Sequence, residues 1–146
     1  MRRTAESASH LWLAYDRYCF LFTYMLTFVS VRTIIFYRTS TGNTPIKDFL
    51  DSLTGKQAQK VLWVLQLIEE LPAVPGQYFK KLSGTDDIWE VRVQYGSDTF
   101  RLLGFFHEGQ LIILTNGFTK KTQKTPLSEI SLAEKRKQDY VSRRRQ

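Results

Sequence analysis

Glu90, Arg92 and Arg101 are the residues of this chain whose types and placement best suit chemistry on a polyanion. Residues 88–95 alternate in character, as a half-buried strand does. Trp89, Val91, Val93 and Tyr95 share one face, and Ile88, Glu90, Arg92 and Gln94 share the other. Gly96-Ser97-Asp98 predicts a hairpin turn. A returning strand over residues 99–107 then brings Arg101 within about a residue or two of Arg92. Two guanidiniums on one sheet face can grip a phosphate through planar, charge-assisted hydrogen bonds. They can also stabilise the added negative charge of a pentacoordinate phosphoryl transition state. The plainer reading of the same three residues is a cross-strand ion pair on a solvated face, worth about 0.2–1 kcal/mol.

Five lysines flank these strands: Lys80, Lys81, Lys120, Lys121 and Lys124. Such a row is commonly just solvated. Placed at both ends of one sheet, it can also contact phosphates, and a lysine whose pKa is lowered by cationic neighbours can exchange a proton. His107 falls at a turn before Glu108-Gly109 and reads as a surface histidine, while Tyr95 and Phe118 read as core aromatics that could stack on a base. No serine or cysteine is placed with a histidine as a triad requires. Neither a Walker loop nor a dinucleotide fingerprint is present. With two histidines far apart and one cysteine, the sequence offers no metal-ligand cluster and no internal disulfide framework. A reducing, cytoplasmic setting fits.

The elements that position these residues can be read in order. Residues 32–38 are β-branched and aromatic, a first strand. Thr44-Pro45 predicts a capped helix start, with Ile46, Phe49 and Leu50 on one side. Thr54 caps a second helix to Leu71, with Ala58, Val61, Leu62, Leu65 and Ile68 on its apolar stripe. Residues 78–82, 88–95, 99–107 and 110–118 are strands joined by short turns. Thr125-Pro126 repeats the capped, proline-started signal before a final helix that turns Leu127, Ile130, Ala133 and Tyr140 inward. The expected fold is α+β. An N-terminal strand and helical pair pack on one face of a small curved antiparallel sheet, the polar row lies on the opposite face, and a C-terminal helix follows.

Charge is unevenly spread. Nine basic and nine acidic residues balance between Arg32 and Thr115, whereas nine basic residues face three acidic ones from Asn116 onward. A concentrated basic segment suits a nucleic acid, another polyanion or an acidic partner. The 42% hydrophobic and 14% aromatic content is that of a folded domain.

Residues 1–31 differ from the rest and are expected to lie outside the domain that occupies 32–146. Residues 18–31 are uncharged but too short for a bilayer span, which needs about 20 residues. Arg2 and Arg3 before an apolar run allow a signal peptide, yet no clear cleavage site follows. The segment is read as an extension left by a start placed too far upstream. A membrane or export role and a genuine extra element are the alternatives.

Four motifs carry a family resemblance: Phe79-Lys80-Lys81-Leu82-Ser83-Gly84, Ile88-Trp89-Glu90-Val91-Arg92-Val93, Phe100-Arg101-Leu102-Leu103, and the lysine-rich stretch from Gly117 to Pro126. Together with residues 129–133 they make residues 32–140 resemble the phage-derived, HigB-like branch of the RelE toxin superfamily. The resemblance implies the toxin of a type II toxin–antitoxin pair, an endoribonuclease that cuts mRNA in the ribosomal A site. It implies attack by the ribose 2′-OH on the adjacent phosphate without a metal or other cofactor. It also implies a companion antitoxin, often a helix-turn-helix protein. Arg92 and Arg101 match positions that contact the scissile phosphate. Lys120, Lys121 and Lys124 match basic positions near the active site or on ribosomal RNA. Glu90 falls in the active-site strand where many relatives carry a basic residue. It is read as a catalytic candidate whose role is that of a base, of an orienting partner of Arg92, or neither. The superfamily also contains ParE-type toxins that inhibit DNA gyrase without cutting RNA. A non-enzymatic nucleic-acid-binding accessory protein is the third reading.

Overall fold

A computed structural model describes residues 31–146. The expectations for residues 1–31 therefore fall outside the described residues, Val31 excepted. The elements are β1 (Thr33–Phe36), α1 (Pro45–Asp51), α2 (Gly55–Glu70), β2 (Phe79–Lys81), β3 (Trp89–Tyr95), β4 (Asp98–His107), β5 (Leu111–Thr119) and α3 (Leu127–Arg144). The fold is α+β and RelE-like, with a five-stranded sheet in the order β1-β5-β4-β3-β2. Strands β2 to β5 form an antiparallel meander, as short turns require. β1 pairs parallel with β5, Thr33 opposite Leu111 and Phe36 opposite Leu114, so the sheet is mixed. A parallel neighbour needs a crossover, and α1 and α2 supply helical cover between β1 and the meander.

Local sequence sets the helix starts. Thr54 and Gln57 form a reciprocal capping box at α2. Thr44 occupies the N-cap of α1, but its side chain makes no capping bond; proline in the first turn does the work of pre-setting φ. The two-residue loop Gly96-Ser97 closes the hairpin between Tyr95 and Asp98, with Gly96 at φ +58°, a region that disfavours any side chain.

The sheet is covered on both faces; the face expected to hold the polar row also carries α3. Val61, Val64, Leu65 and Ile68 of α2 pack with Ile46 on Val91, Val93, Phe100, Leu102, Ile112 and Leu114. Ala133 and Tyr140 of α3 pack on Ile88, Leu103, Phe105, Ile113 and Tyr37. The reason is legible in the strands: half of the second face is apolar and needs burial. Leu62 is half exposed, and Val64 takes the place on the buried stripe expected for it. Leu127, expected inward, is 80% exposed, because α3 begins only there.

A bulge in β5 joins the two faces. Leu103 pairs with Asn116 and Gly104 with Leu114, leaving Thr115 as the extra residue. The bulge shifts the alternation by one, so Leu111, Ile113, Asn116 and Phe118 all lie on the α3 face. The Thr115 hydroxyl donates to the Leu103 carbonyl at 3.1 Å, and Arg136 of α3 donates to the Thr115 carbonyl at 2.8 Å. Without the bulge, Phe118 and the residues after it would turn to the α1 side, and Lys120 would leave Arg101.

Candidate active site

The α3 face has an apolar half under the helix and a polar half beside it. Glu90 and Arg92 from β3 and Arg101 from β4 occupy the polar half. Arg92 and Arg101 are direct cross-strand partners. Like charges directly opposite repel, and the sequence answers with Glu90. Its carboxylate is fully buried. Arg92 Nε donates to Glu90 Oε1 at 2.8 Å. Arg101 Nε lies 3.2 Å from the same oxygen, an ion-pair contact without the alignment of a hydrogen bond. The hydroxyl of Thr125, in the segment between β5 and α3, donates to Oε2. Both carboxylate oxygens are thus engaged, and one buried anion holds two cations side by side.

The guanidiniums differ in setting. The Arg101 side chain is 13% exposed and that of Arg92 29%. Burial lowers the Arg101 pKa from its ordinary value; Glu90 opposes the shift and Arg92 adds to it. Arg101 also donates through a terminal nitrogen to the Phe100 carbonyl at 3.1 Å.

Lys120 completes the group. Its backbone N–H donates to the Thr99 carbonyl at 2.7 Å, which extends the β4–β5 ladder one step past Thr119. Its pKa is lowered, first by burial and next by the Arg101 charge, with Glu90 opposing and Arg92 contributing. Glu90, Arg92, Arg101 and Lys120 together carry a net charge of about +2 at neutral pH. Such a cluster can receive a phosphodiester, neutralise charge that builds on it, and exchange a proton through an amine poised below the ordinary lysine range.

The remaining lysines are placed differently. Lys80 pairs with Glu90 in register, so it shares the site's face at the sheet edge. Lys81 turns to the other face and binds Asp87 at 2.6 Å. Lys121 and Lys124 are exposed in the segment after β5. Phe118, directly opposite Arg101, packs against the α3-side core, while Tyr95 is exposed. His107 is not a free surface histidine: it lies half-buried at the other end of β4, edge-on to Tyr140.

Thr125 was the residue that sequence reasoning misplaced. Thr125-Pro126 predicts a helix cap, but Pro126 is the N-cap of α3 and makes no side-chain capping bond. The Thr125 hydroxyl goes instead to Glu90, 35 residues away. No local signal distinguishes the two uses. Asn116, also missed, is buried and donates to Glu129 Oε2 at 2.8 Å, tying β5 to the first turn of α3 beside the site.

Beyond Arg92 the outer edge of β3 has no strand neighbour among the described residues, because β2 pairs only with Trp89, Glu90 and Val91. A groove of about 280 Å³ opens there, lined by Lys60, Gln77, Tyr78, Arg92, Val93, Gln94 and Arg101. No helix among the described residues is long and apolar enough to cross a membrane.

A family model described as phage derived protein Gp49-like (DUF891) matches residues 48–138, more than half of the chain and all of β2 to β5. No curated protein sequence matches it.

Proposed function

This chain belongs to the Gp49-like family of phage-derived proteins, a toxin-like family within the RelE/HigB-like toxin superfamily, and on that premise we propose that it is the toxin of a type II toxin–antitoxin pair of the HigB-like branch, acting as a ribosome-dependent mRNA endoribonuclease. The observation that carries this reading is the pairing of Arg92 with Arg101 across β3 and β4, locked by one buried carboxylate and joined by Lys120.

In this mechanism the scissile phosphate sits on the two guanidiniums. The ribose 2′-OH attacks phosphorus, the bond from phosphorus to the 5′-oxygen breaks, and the message is left with a 2′,3′-cyclic phosphate and a 5′-OH. Arg92 and Arg101 are catalytic residues that stabilise the pentacoordinate phosphorane. Lys120, with its lowered pKa, is the catalytic group that takes the 2′-OH proton in its neutral form or delivers one to the leaving oxygen in its charged form. Glu90 is a positioning residue, since both its oxygens are already occupied. Lys80, Lys121 and Lys124 contact flanking phosphates or ribosomal RNA, and Lys81 contributes once it exchanges Asp87 for phosphate. No metal or cofactor is invoked.

Ribosome dependence follows from energetics. A small cationic face binds free RNA weakly and in a salt-sensitive way. Message already held in the decoding site removes much of the entropic cost of aligning the 2′-OH with phosphorus. The proposed partners are the ribosome with its mRNA and a cognate antitoxin of helix-turn-helix type, and the proposed compartment is the cytoplasm.

Primer extension on a defined message after a short expression pulse tests this reading, with wild type beside Arg101→Ala. Cuts inside translated codons, lost in the mutant and lost when translation of that message is blocked, are expected. Growth arrest with uncut message and inhibited supercoiling would instead assign a ParE-type, gyrase-directed toxin.

A further inference from the structure

The groove at the open edge of β3 is continuous with the arginine pair, yet most of its lining takes no part in the chemistry described above. Arg92 and Arg101 contribute to its lining. Tyr78 and Gln77, from the segment leading into β2, and Lys60 of α2 also line it. The Arg92 backbone N–H is held by the Tyr78 carbonyl at 2.7 Å, which fixes Tyr78 beside the phosphate-binding arginine. Trp63 meets the Tyr78 ring edge to face, with centroids 6.0 Å apart. Lys60 Nζ lies 4.0 Å above the Trp63 ring. Trp63 itself is 45% exposed. Tyr78 and Lys60 therefore line the same groove as the two guanidiniums, and the exposed Trp63 touches both Tyr78 and Lys60 from outside the lining.

We infer that this groove is a nucleotide subsite. It seats the one nucleotide flanking the scissile phosphate, with its base against Tyr78 and its polar edge read by Gln77, and it sets the sequence preference of cleavage. The inference rests on the nuclease reading above. Three features favour this occupant. The volume, about 280 Å³, is near the lower end of the roughly 300–1,000 Å³ typical of small-molecule sites, which suits one nucleotide rather than a strand. The lining pairs an aromatic surface with cations, the combination that binds single-stranded nucleic acid. Gln77 lines the groove, is exposed, and carries both donor and acceptor atoms, as base-edge recognition needs. Gln94 is unsuited to that reading role, because its amide already donates to the Gly96 carbonyl at 2.9 Å and accepts from Thr99 at 2.7 Å.

The test is cut-site profiling on ribosome-bound messages that carry a randomised window, using full-length wild type, Gln77→Ala, Tyr78→Ala, Tyr78→Phe and Arg101→Ala. Thermal melts identify any variant that fails to fold. Tyr78→Ala is expected to lower cleavage roughly ten- to hundredfold, the range of one lost base–aromatic stack, and Tyr78→Phe to retain it. Gln77→Ala is expected to flatten the base preference at one position beside the cut, losing cleavage chiefly at the sites that wild type prefers. The Gln77 readout stands even if Tyr78→Ala does not fold. If wild type cuts, Arg101→Ala does not, and the folded groove variants cut with wild-type rates and base frequencies, the subsite is overturned and the nuclease reading stands. If wild type leaves every message intact, both fall together.

Discussion

Arg92 on β3 and Arg101 on β4 face each other directly across the sheet, and the buried carboxylate of Glu90 lies against the Nε of both. Two like charges in register would repel, so the arrangement depends on the anion between them. This separates the roles: the carboxylate organises, and the terminal nitrogens of the guanidiniums remain the groups that can meet a phosphate.

Replacement of Glu90 is therefore expected to damage folding and activity together. Glu90→Gln keeps shape and removes the charge, leaving Arg101 poorly compensated in its buried setting. Breaking a buried pair costs about 3–5 kcal/mol. Urea denaturation of the variant should show a correspondingly lower midpoint. Thr125→Val, which removes the hydroxyl and leaves Oε2 without that donor, should cost about 1–3 kcal/mol by the same measurement. A Glu90→Gln protein as stable as wild type would contradict the anchoring role.

Lys120 should leave a mark on pH dependence. Its folded-state pKa lies below the ordinary lysine value of 10.5, chiefly through burial. Between the folded and unfolded values the unfolded chain binds more protons, so stability rises with pH across that window and the gain is lost as pH falls through the folded value. The stability difference between wild type and Lys120→Met, followed by denaturant melts at increasing alkaline pH, should show this slope. A flat difference would place Lys120 in ordinary solvent.

Asp139 and Tyr37 predict the opposite end of the pH scale. The Tyr37 hydroxyl donates to Asp139 Oδ2 at 2.6 Å, and this bond is the main cause that holds the Asp139 carboxyl below its ordinary 3.8, with Arg143 assisting. The stabilisation is present above the ordinary aspartate value and is lost as pH falls through the folded one. Asp139→Asn should flatten the acid limb of the stability curve. High salt should weaken only the smaller share that comes from the Arg143 charge.

Much of this arrangement was legible in the strands, and the physical reason is the strictness of their alternation. Residues 88–95 alternate with a period of two, which put Glu90 and Arg92 on one face, and the turn at residues 96–98 brought Arg101 within about a residue or two of Arg92; the structure sets the two directly opposite. Three things were not legible. The Thr115 bulge, which keeps Phe118 and Lys120 on the site's face, is a register shift against Leu103 and Gly104 of the neighbouring strand. The use of Thr125 depends on a carboxylate brought near only by tertiary packing. Helix α3 sits on the second face because Leu103, Phe105 and Ile113 need cover there, and a chain order alone does not say which face a last helix takes.

Two glycines should rank differently on substitution. A Cβ at Gly104 would collide with the backbone carbonyl of Ile113, which cannot move without disturbing the β4–β5 ladder. A Cβ at Gly117 would meet the ring of Phe49, a side chain that can shift. Overpacking typically costs about 1–3 kcal/mol. Thermal melts should show Gly104→Ala at or beyond the upper end of that range and Gly117→Ala below it. The reverse order would mean that the ladder at the bulge yields more readily than the aromatic contact between Phe49 and Phe100.

The central proposal is a metal-independent attack by the ribose 2′-OH on a phosphate held by Arg92 and Arg101, and the chemistry of the cut ends tests it most directly. Ribosomes programmed with a defined message would be incubated with purified protein in the presence of a metal chelator at a concentration the ribosome tolerates, and the fragments analysed by mass spectrometry. Fragments that end in 2′,3′-cyclic phosphate and begin with 5′-OH, absent with Arg92→Ala and Arg101→Ala and absent when a 2′-deoxy nucleotide replaces the attacking ribose, are the expected result. Intact message, or cutting that survives the 2′-deoxy substitution, would contradict it.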